Sequence, residues 1–511
     1  MAGIKVTEKD LSWYARQGFG SLIVYVPGVS TNGPTDRPTV CNSITQFEKI
    51  YGKPLKANGL SRSYNIAESF IKAGSSVLFH RFVGNSAVAA KANMDESGFV
   101  VIHAKYPGEF LNDYTVTVTK GVGTWSFTIA NKDHTLESFS VNYADPSAER
   151  FYTADVSSYV YIEVTDEAPA DLNDVTPLSS EIKLAGGDSK ITKDSDVADA
   201  ICKEHALDIL RDPYIVDFDV ATSAGFVLGN LASADKVDTA LSQAVIERGT
   251  AIYLIDGTAS ATPEEFYAYC ENFNSSFCVG IGPWGYAKYL NTGATALLPG
   301  SYAMIIQWIK STAEGVPVWM APAGVKRASL DSFYIKPQYE IGKSVLDAWQ
   351  MTDIDPALDS YRVNPIMRAK SYGYIIYGNS TLLHSTDIGS TSMLQSVSTR
   401  VMTNVIKKAA FDISLSLQFD QMNGDLYAQF KTQMSSVMDQ MRYQGAIYDY
   451  RILLDSSVVS VGNLNERKIP VIIQISPAPA VESFDITLEI TKSGVTFDEK
   501  KDPDSIEESG R

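Results

Sequence analysis

Three aspartates are the side chains best placed by type and position to do chemistry. Asp217 and Asp219 lie at the end of the run YIVDFD, and Asp256 follows the run AIYLI. Both runs read as strands of a parallel sheet, and open α/β sheets bind ligands beyond the carboxyl ends of their strands. An enzyme on this scaffold would place its working carboxylates there. No other catalytic constellation accompanies them. Gly280, Gly282 and Gly285 follow a late strand, with Pro283 and Trp284 between them. That spacing fails as a dinucleotide loop. His80, His103, His134, His205 and His384 are scattered and form neither HxH nor HxxxH, so no metal set is formed. No GxSxG elbow occurs. The residues imply no cofactor, and a Rossmann-like domain without chemistry explains them most simply.

The elements that would carry these residues change character along the chain. Leu22–Val26 reads as a strand ended by Pro27-Gly28. Ser43 caps a helix over 43–51, and a helix over 62–73 precedes a strand over 77–83. Residues 95–180 show short alternating runs separated by turns, the pattern of an inserted β-sandwich or barrel. The βα rhythm then returns. Helices are predicted over 194–205, 234–248, 263–273 and 300–313, with strands over 214–218, 251–255, 277–281 and 317–321. Thr262 and Pro263 mark the start of the third of these helices. The spacing predicts a largely parallel sheet with helices on its faces. After Pro365 a smaller α+β unit follows. It has a strand over 372–377, helices near 394–411 and 421–444, and strands near 447–454, 469–475 and 482–491.

The 511 residues allow two to four domains with ample core. No apolar run approaches the roughly 18–20 residues that span a bilayer, so no membrane insertion is expected. MAGIKVTEKDLSWY has no apolar signal-peptide core. Cys41, Cys202, Cys270 and Cys278 form no CxxC pair, and Cys270 and Cys278 are expected as reduced core residues. The net charge of −17 argues against nucleic acid as a partner. Residues 95–180 hold 14 acidic and 4 basic side chains, whereas residues 365–496 hold 11 of each. The acidic segment is expected to face outward.

Three blocks carry a resemblance. Residues 20–52 order a Pro-Gly turn, a Gly-Pro step (Gly33-Pro34) and a helix ending in Tyr51-Gly52. Residues 361–383 hold Asn364, Pro365, Ile366, Gly373, Gly378, Thr381 and Leu382, with Ser380 where a basic residue is frequent. Residues 419–445 pair Phe419 with Asn423 before a long helix ending at Gly445-Ala446. In this order the blocks resemble the contractile-tail sheath proteins of bacteriophages and phage-like bacteriocins.

That resemblance implies a non-enzymatic virion subunit. It is expected to form stacked, hexameric rings in a helical homo-oligomer around a tail tube protein, with baseplate and tail terminator proteins as further partners. It would be assembled in the host cytoplasm and contract for genome ejection. The fold class expected is α/β plus α+β multidomain. A parallel-sheet α/β domain (18–94 and 181–364) carries an inserted outer β domain (95–180). An inner C-terminal α+β domain (365–496) is completed by an N-terminal linking arm (1–17), and an acidic tail (497–511) follows. Linking by β-augmentation is expected from Val6, Thr7, Leu11, Trp13 and Tyr14 of the arm. Phe484, Ile486, Leu488 and Ile490 of the last strand would form the other half. The helix over 421–444 places Met422, Leu426, Phe430, Met434, Val437, Met438 and Met441 on one core face. Arg400, Lys407, Lys408, Lys431 and Arg442 are the residues expected to touch the tube. The alternatives are an α/β enzyme with an inserted β domain and a static virion structural protein.

Overall fold

Short apolar runs alternating with amphipathic helices build an eight-stranded sheet. The computed structural model describes residues 22–55, 59–142, 156–169, 174–229, 235–350, 361–384, 392–422, 424–454 and 467–479. The sheet opens with β1 (Ile23–Gly28), β2 (Thr39–Cys41), α1 (Ile44–Tyr51), α2 (Ser61–Ala73) and β3 (Ser76–Arg81). Ser43 caps α1 by accepting the Gln46 N–H. Phe47 and Tyr51 of α1 pack against Phe79 of β3 at centroid distances of 5.0 and 4.7 Å.

The chain then leaves the sheet for an all-β insert. Its strands are β4 (Lys91–Asn93), β5 (Val100–Ala104), β6 (Thr115–Lys120), β7 (Thr124–Ala130), β8 (Thr135–Asn142), β9 (Val160–Val164) and β10 (Glu181–Lys183). They form two antiparallel sheets, β10-β6-β7-β8 and β4-β5-β9. Inward residues such as Ile102, Val116, Trp125, Phe127 and Ile162 share a core separate from that of the large sheet. The ends of the insert meet: Gly84 N–H donates to Ser189 O at 2.9 Å and Val88 N–H to Asp188 O at 2.8 Å. Strand β4 pairs with β5 and β10 with β6, so the insert's ladders extend beyond the limits of 95 and 180.

The main sheet resumes with α3 (Asp194–Ile201), α4 (Glu204–Arg211), β11 (Val220–Thr222), α5 (Lys236–Arg248), β12 (Ile252–Ile255), α6 (Pro263–Cys270) and β13 (Cys278–Gly282). A small sheet of β14 (Gly285–Lys288), β15 (Thr295–Leu298) and β16 (Tyr334–Pro337) follows, with α7 (Gly300–Ala313), α8 (Gly324–Arg327) and α9 (Lys343–Gln350). β17 (Asn364–Arg368) and β18 (Tyr374–Ile376) complete the large sheet, in the order β18-β17-β13-β12-β11-β1-β3-β2. The six strands from β17 to β3 are parallel, and the edge strands β18 and β2 are antiparallel. Every residue of β12 and β13 is buried, as helices on both faces require. The boundary expected between 364 and 365 falls within β17, which pairs with β13.

Two long helices, α10 (Val397–Leu417) and α11 (Gly424–Tyr443), then pack on each other and on a ribbon of β19 (Ile447–Leu453) and β20 (Ile472–Pro477). Leu426, Phe430, Met434, Met438 and Met441 form the buried face of α11. These elements belong to one unit that ends at Ala478.

Two expected strands are corrected. Residues 214–218 are a loop, and the strand is Val220–Thr222. The side chain of Arg248 takes the Leu210, Asp212 and Val216 carbonyls, and exposed Tyr214 packs edge-on against Phe411. Residues 317–321 form a turn, in which Met320 N–H donates to Pro317 O and Trp308 Nε1 binds Val318 O. Buried Val318 and Trp319 made this turn read as a strand. The helix expected over 194–205 divides into α3 and α4 at Cys202.

Candidate functional site

The three aspartates do not converge. Asp219 directly precedes β11, while Asp256 directly follows β12, so they occupy opposite ends of a parallel sheet. The register sets Asp219 level with Ala251, and five residue steps at about 3.3 Å each separate the two aspartates by roughly 16 Å along the strands. The expectation that all three sit at carboxyl ends fails because the run before Asp219 is a loop. Asp256 is buried. Its Oδ1 accepts the Ser301 N–H and its Oδ2 the Ser301 hydroxyl, both at 2.6 Å, at the first turn of α7. Burial pushes its carboxyl up to about 8, against the pull of those two bonds. Asp238, also buried, accepts the Tyr253 and Tyr269 hydroxyls at 2.5 and 2.6 Å, and burial raises it to about 7. These carboxylates tie helices to strands.

Asp217 and Asp219 hold α10. Lys408 Nζ lies 2.7 Å from a carboxylate oxygen of each and donates to Phe218 O at 2.6 Å. Asp219 Oδ2 also accepts the Ile23 N–H that starts β1. Arg248, at the end of α5, lies 3.6 Å from Asp217 and 4.6 Å above the Phe218 ring. Burial lowers its pKa, partly offset by Asp217, Asp219 and Asp212. Arg248 was not singled out in the sequence, although a basic residue in a last helical turn before Gly249 was a usable signal.

The residues expected to touch a tube therefore divide. Arg400 is buried against Ser276 and Phe277, and Lys407 donates to Gly249 O at 3.1 Å. With Lys408 they turn toward the sheet, because the strand ends offer carbonyls, carboxylates and a ring. Lys431 and Arg442 lie on α11 at exposed positions, and Arg442 pairs with Asp439 at 3.0 Å and lies over Tyr450. Val6, Thr7, Leu11, Trp13 and Tyr14, and Phe484, Ile486, Leu488 and Ile490, fall outside the described residues. Asn423 and the acidic tail do so too.

At the far end of α10, an apolar groove of about 620 Å³ opens between α10, α11 and the ribbon. Leu417, Met422, Leu426, Phe430, Leu454 and Val471 line it. Phe419 stands at its edge, 96% exposed and with a φ of 74°, a backbone region that disfavours a bulky residue. Among the described residues, β20 pairs only with β19, and a two-stranded ribbon is marginal alone.

Two of the sequence blocks are each held by one buried polar side chain. Asn364 donates to Gly280 O and Ser380 O at 2.9 and 2.8 Å and accepts Ser380 N–H at 2.9 Å. It thus clips β17 to β13 and to the loop at Gly378. Arg81, fully buried, donates to Ser30 O, Gly33 O and Pro107 O at 3.0, 2.8 and 2.7 Å. It pins the loop after β1 to the insert, and burial lowers its pKa to about 10. Cys41, Cys202, Cys270 and Cys278 are free thiols, and Cys270 and Cys278 are buried.

No family model matches the sequence. The chain is 20% identical over 258 residues to a tail sheath protein of Vibrio phage KVP40, a match covering 50% of this chain and 36% of that protein. It is 23% identical over 181 residues to a tail sheath protein of Enterobacteria phage T4, covering 35% and 25%. The matches thus span no more than 36% of either relative's length. Its fold is similar to that of a sheath tail protein from Listeria innocua, with a TM-score of 0.58 and 13% identity over 91% of this chain and 97% of that one. It is also similar to the sheath of an extracellular contractile injection system in its contracted state, with a TM-score of 0.52 and 11% identity over 97% and 98%. Two sequence matches to one kind of protein, and a fold shared over 91% of the chain, make this chain similar to tail sheath proteins.

Proposed function

We propose that the chain is a structural subunit of a contractile tail sheath. Subunits polymerise helically around a tail tube and contract to drive the tube through a cell envelope. The observation that carries this reading is the fold shared across nearly the whole chain with sheath proteins. The separation of Asp219 from Asp256 counts against the α/β enzyme. Heterologous contacts between identical subunits generate an open helical array. The extended array is a high-energy state held by kinetic barriers, and contraction releases interface free energy. Stacked hexameric rings, a tube protein, a baseplate and a terminator belong to this proposal, as do virion location and assembly in the host cytoplasm.

Three structural features support roles within that machine. The arm near Val6–Tyr14 of one subunit pairs with the strand near residues 483–491 of another. The ribbon β19–β20 and the apolar groove beside it suit such strand addition. Lys431 and Arg442 form the tube contact, where exposed ion pairs of about 0–1 kcal/mol each release readily. The acidic insert faces outward, where like charge keeps particles apart.

Negative-stain microscopy of the purified protein tests the reading. Rings or hollow tubes are expected. A protein that stays monomeric at high concentration, alone and with a tube protein, would sink it.

A further inference from the structure

Helix α10 turns a polar face inward, two turns before Lys408. Arg400 is 4% exposed. Its Nη1 donates to Ser276 Oγ at 3.2 Å, and its guanidinium carbon lies 4.4 Å from the centroid of the Phe277 ring. Among the described residues no carboxylate pairs with it, and burial alone lowers its pKa to about 10. Lys407, two turns further on, lies 5.4 Å from the same ring centroid. Burial and the charge of Arg400 both lower its pKa. Two cations thus share one aromatic ring, with no acid paired to either among the described residues.

Between them sits Asn404, also 4% exposed. Neither its side-chain oxygen nor its nitrogen has a protein partner. Arg400 Nε and the Thr250 hydroxyl, next to the Gly249 carbonyl that Lys407 binds, are buried and unpaired as well. Leaving one such group unmatched is costly, and more so for a charged one. Native structures keep few of them, so this cluster calls for a bound water or ion.

We propose that the niche under α10 binds a small inorganic anion, held by Arg400, Asn404 and Lys407. The donors are the Arg400 Nε–H, the Asn404 amide and the Lys407 ammonium, with the Thr250 hydroxyl beside them. The exposed side of Lys407 marks the entrance. A free ion suits the niche better than a neighbouring chain's carboxylate, because Arg400 and Asn404 are too enclosed for a side chain tethered to another backbone. The bound ion neutralises the cation pair and cements α10 to the leading ends of β12 and β13. This inference concerns the subunit alone and does not rest on the sheath reading.

The test is thermal unfolding of the full chain at constant ionic strength, with sodium gluconate replaced stepwise by chloride or by phosphate. The midpoint is expected to rise saturably in at least one series, as binding to the folded state requires. The two series separate a halide from an oxyanion. Arg400→Met abolishes the rise. Lys407→Met, at an exposed position that preserves the fold, demands about tenfold more anion, the scale of one hydrogen bond to a charge. Equal midpoints in all three salts would overturn the proposal. So would an equal rise in Arg400→Met, an unchanged anion requirement in Lys407→Met, or a density map with ordered water only at Arg400 Nε and Asn404.

Discussion

Lys408 Nζ stands 2.7 Å from Asp219 Oδ1, so one ion pair joins helix α10 to the leading edge of β11. Both side chains are largely buried, with 12% and 10% of their surface exposed. Removing one partner strands the other charge in a poorly solvated place. Lys408→Met is expected to lower stability by about 3 kcal/mol. The double variant Asp219→Asn, Lys408→Met is expected to lose less than the sum of the single losses. Urea unfolding of the four proteins measures this cycle, and additive losses would show the pair to be uncoupled.

Asp256 gives the subunit a defined pH dependence. The folded carboxyl keeps its proton up to about pH 8, whereas an ordinary aspartate releases it near 3.8. Asp238, raised to about 7, acts in the same sense. The folded state therefore binds more protons, and stability falls as pH rises through this range. Buried His80, held neutral by burial with a pKa near 3, contributes a slope only below its ordinary 6.5. Between pH 6.5 and 8 the aspartates act alone among these three. Each contributes at most about 1.4 kcal/mol per pH unit. The melting temperature of the wild type is expected to drop over this window, and Asp256→Asn to flatten the drop. Parallel curves for the two proteins would exclude Asp256 as a source.

The insert is expected to be dispensable for the body. Its ends meet at Gly84 and Ser189, so residues 85–188 can be replaced by a short linker. The body loses one acceptor of Arg81, Pro107 O, worth about 1–3 kcal/mol when left unmatched. Circular dichroism should report a folded α/β protein, and microscopy should still find assemblies. A soluble, folded deletion that no longer assembles would place a subunit contact on the insert.

Removing residues 1–17 should separate folding from assembly. An unchanged thermal transition and absent polymers are expected. Strand addition of about five bonds, near 1 kcal/mol each, amounts to roughly 5 kcal/mol per junction. Pro at Ile486 removes one ladder donor and should weaken assembly in the same direction. Normal sheaths from the truncated chain would mean that contacts between globular bodies suffice.

Gly28→Ala should destabilise the body by about 1–3 kcal/mol, the scale of overpacking. A Cβ there would meet the Phe79 ring at 2.5 Å and Ser63 Oγ at 2.9 Å. Urea unfolding reads the loss directly, and a neutral result would show that Phe79 can shift.

Much of the fold was readable because the local signals were unopposed. Ser43 and Thr262 cap the helices they were expected to start, and the buried face of α11 follows its apolar spacing. The strand misread over 214–218 has an apolar run but no ladder, since Arg248, 32 residues away, takes the Val216 carbonyl and Lys408 takes that of Phe218. No local pattern announces that competition. The division of the basic residues was equally hidden. Arg400, Lys407 and Lys408 look like a solvated stripe until the ends of β11, β12 and β13 come under the helix. The sequence blocks were legible as words, but their reason was not. Asn364 and Gly378 belong together because a Cβ at Gly378, at φ 137°, would lie 2.6 Å from the Asn364 oxygen.

The hydrogen bond between Gly84 and Ser189 also bears on how the chain finds its fold. Strands β1 and β11 lie side by side although Ile23 and Asp219 are 196 residues apart. Closing a flexible loop of about a hundred residues is entropically dearer by about 2 kcal/mol than closing one of about ten. An insert that collapses first on its own Trp125–Phe127 core draws its two ends together and turns the long closure into a short one. The inserted module would then serve as a clasp during synthesis, and its replacement by an unrelated self-folding domain with adjacent termini should leave the body's folding rate intact.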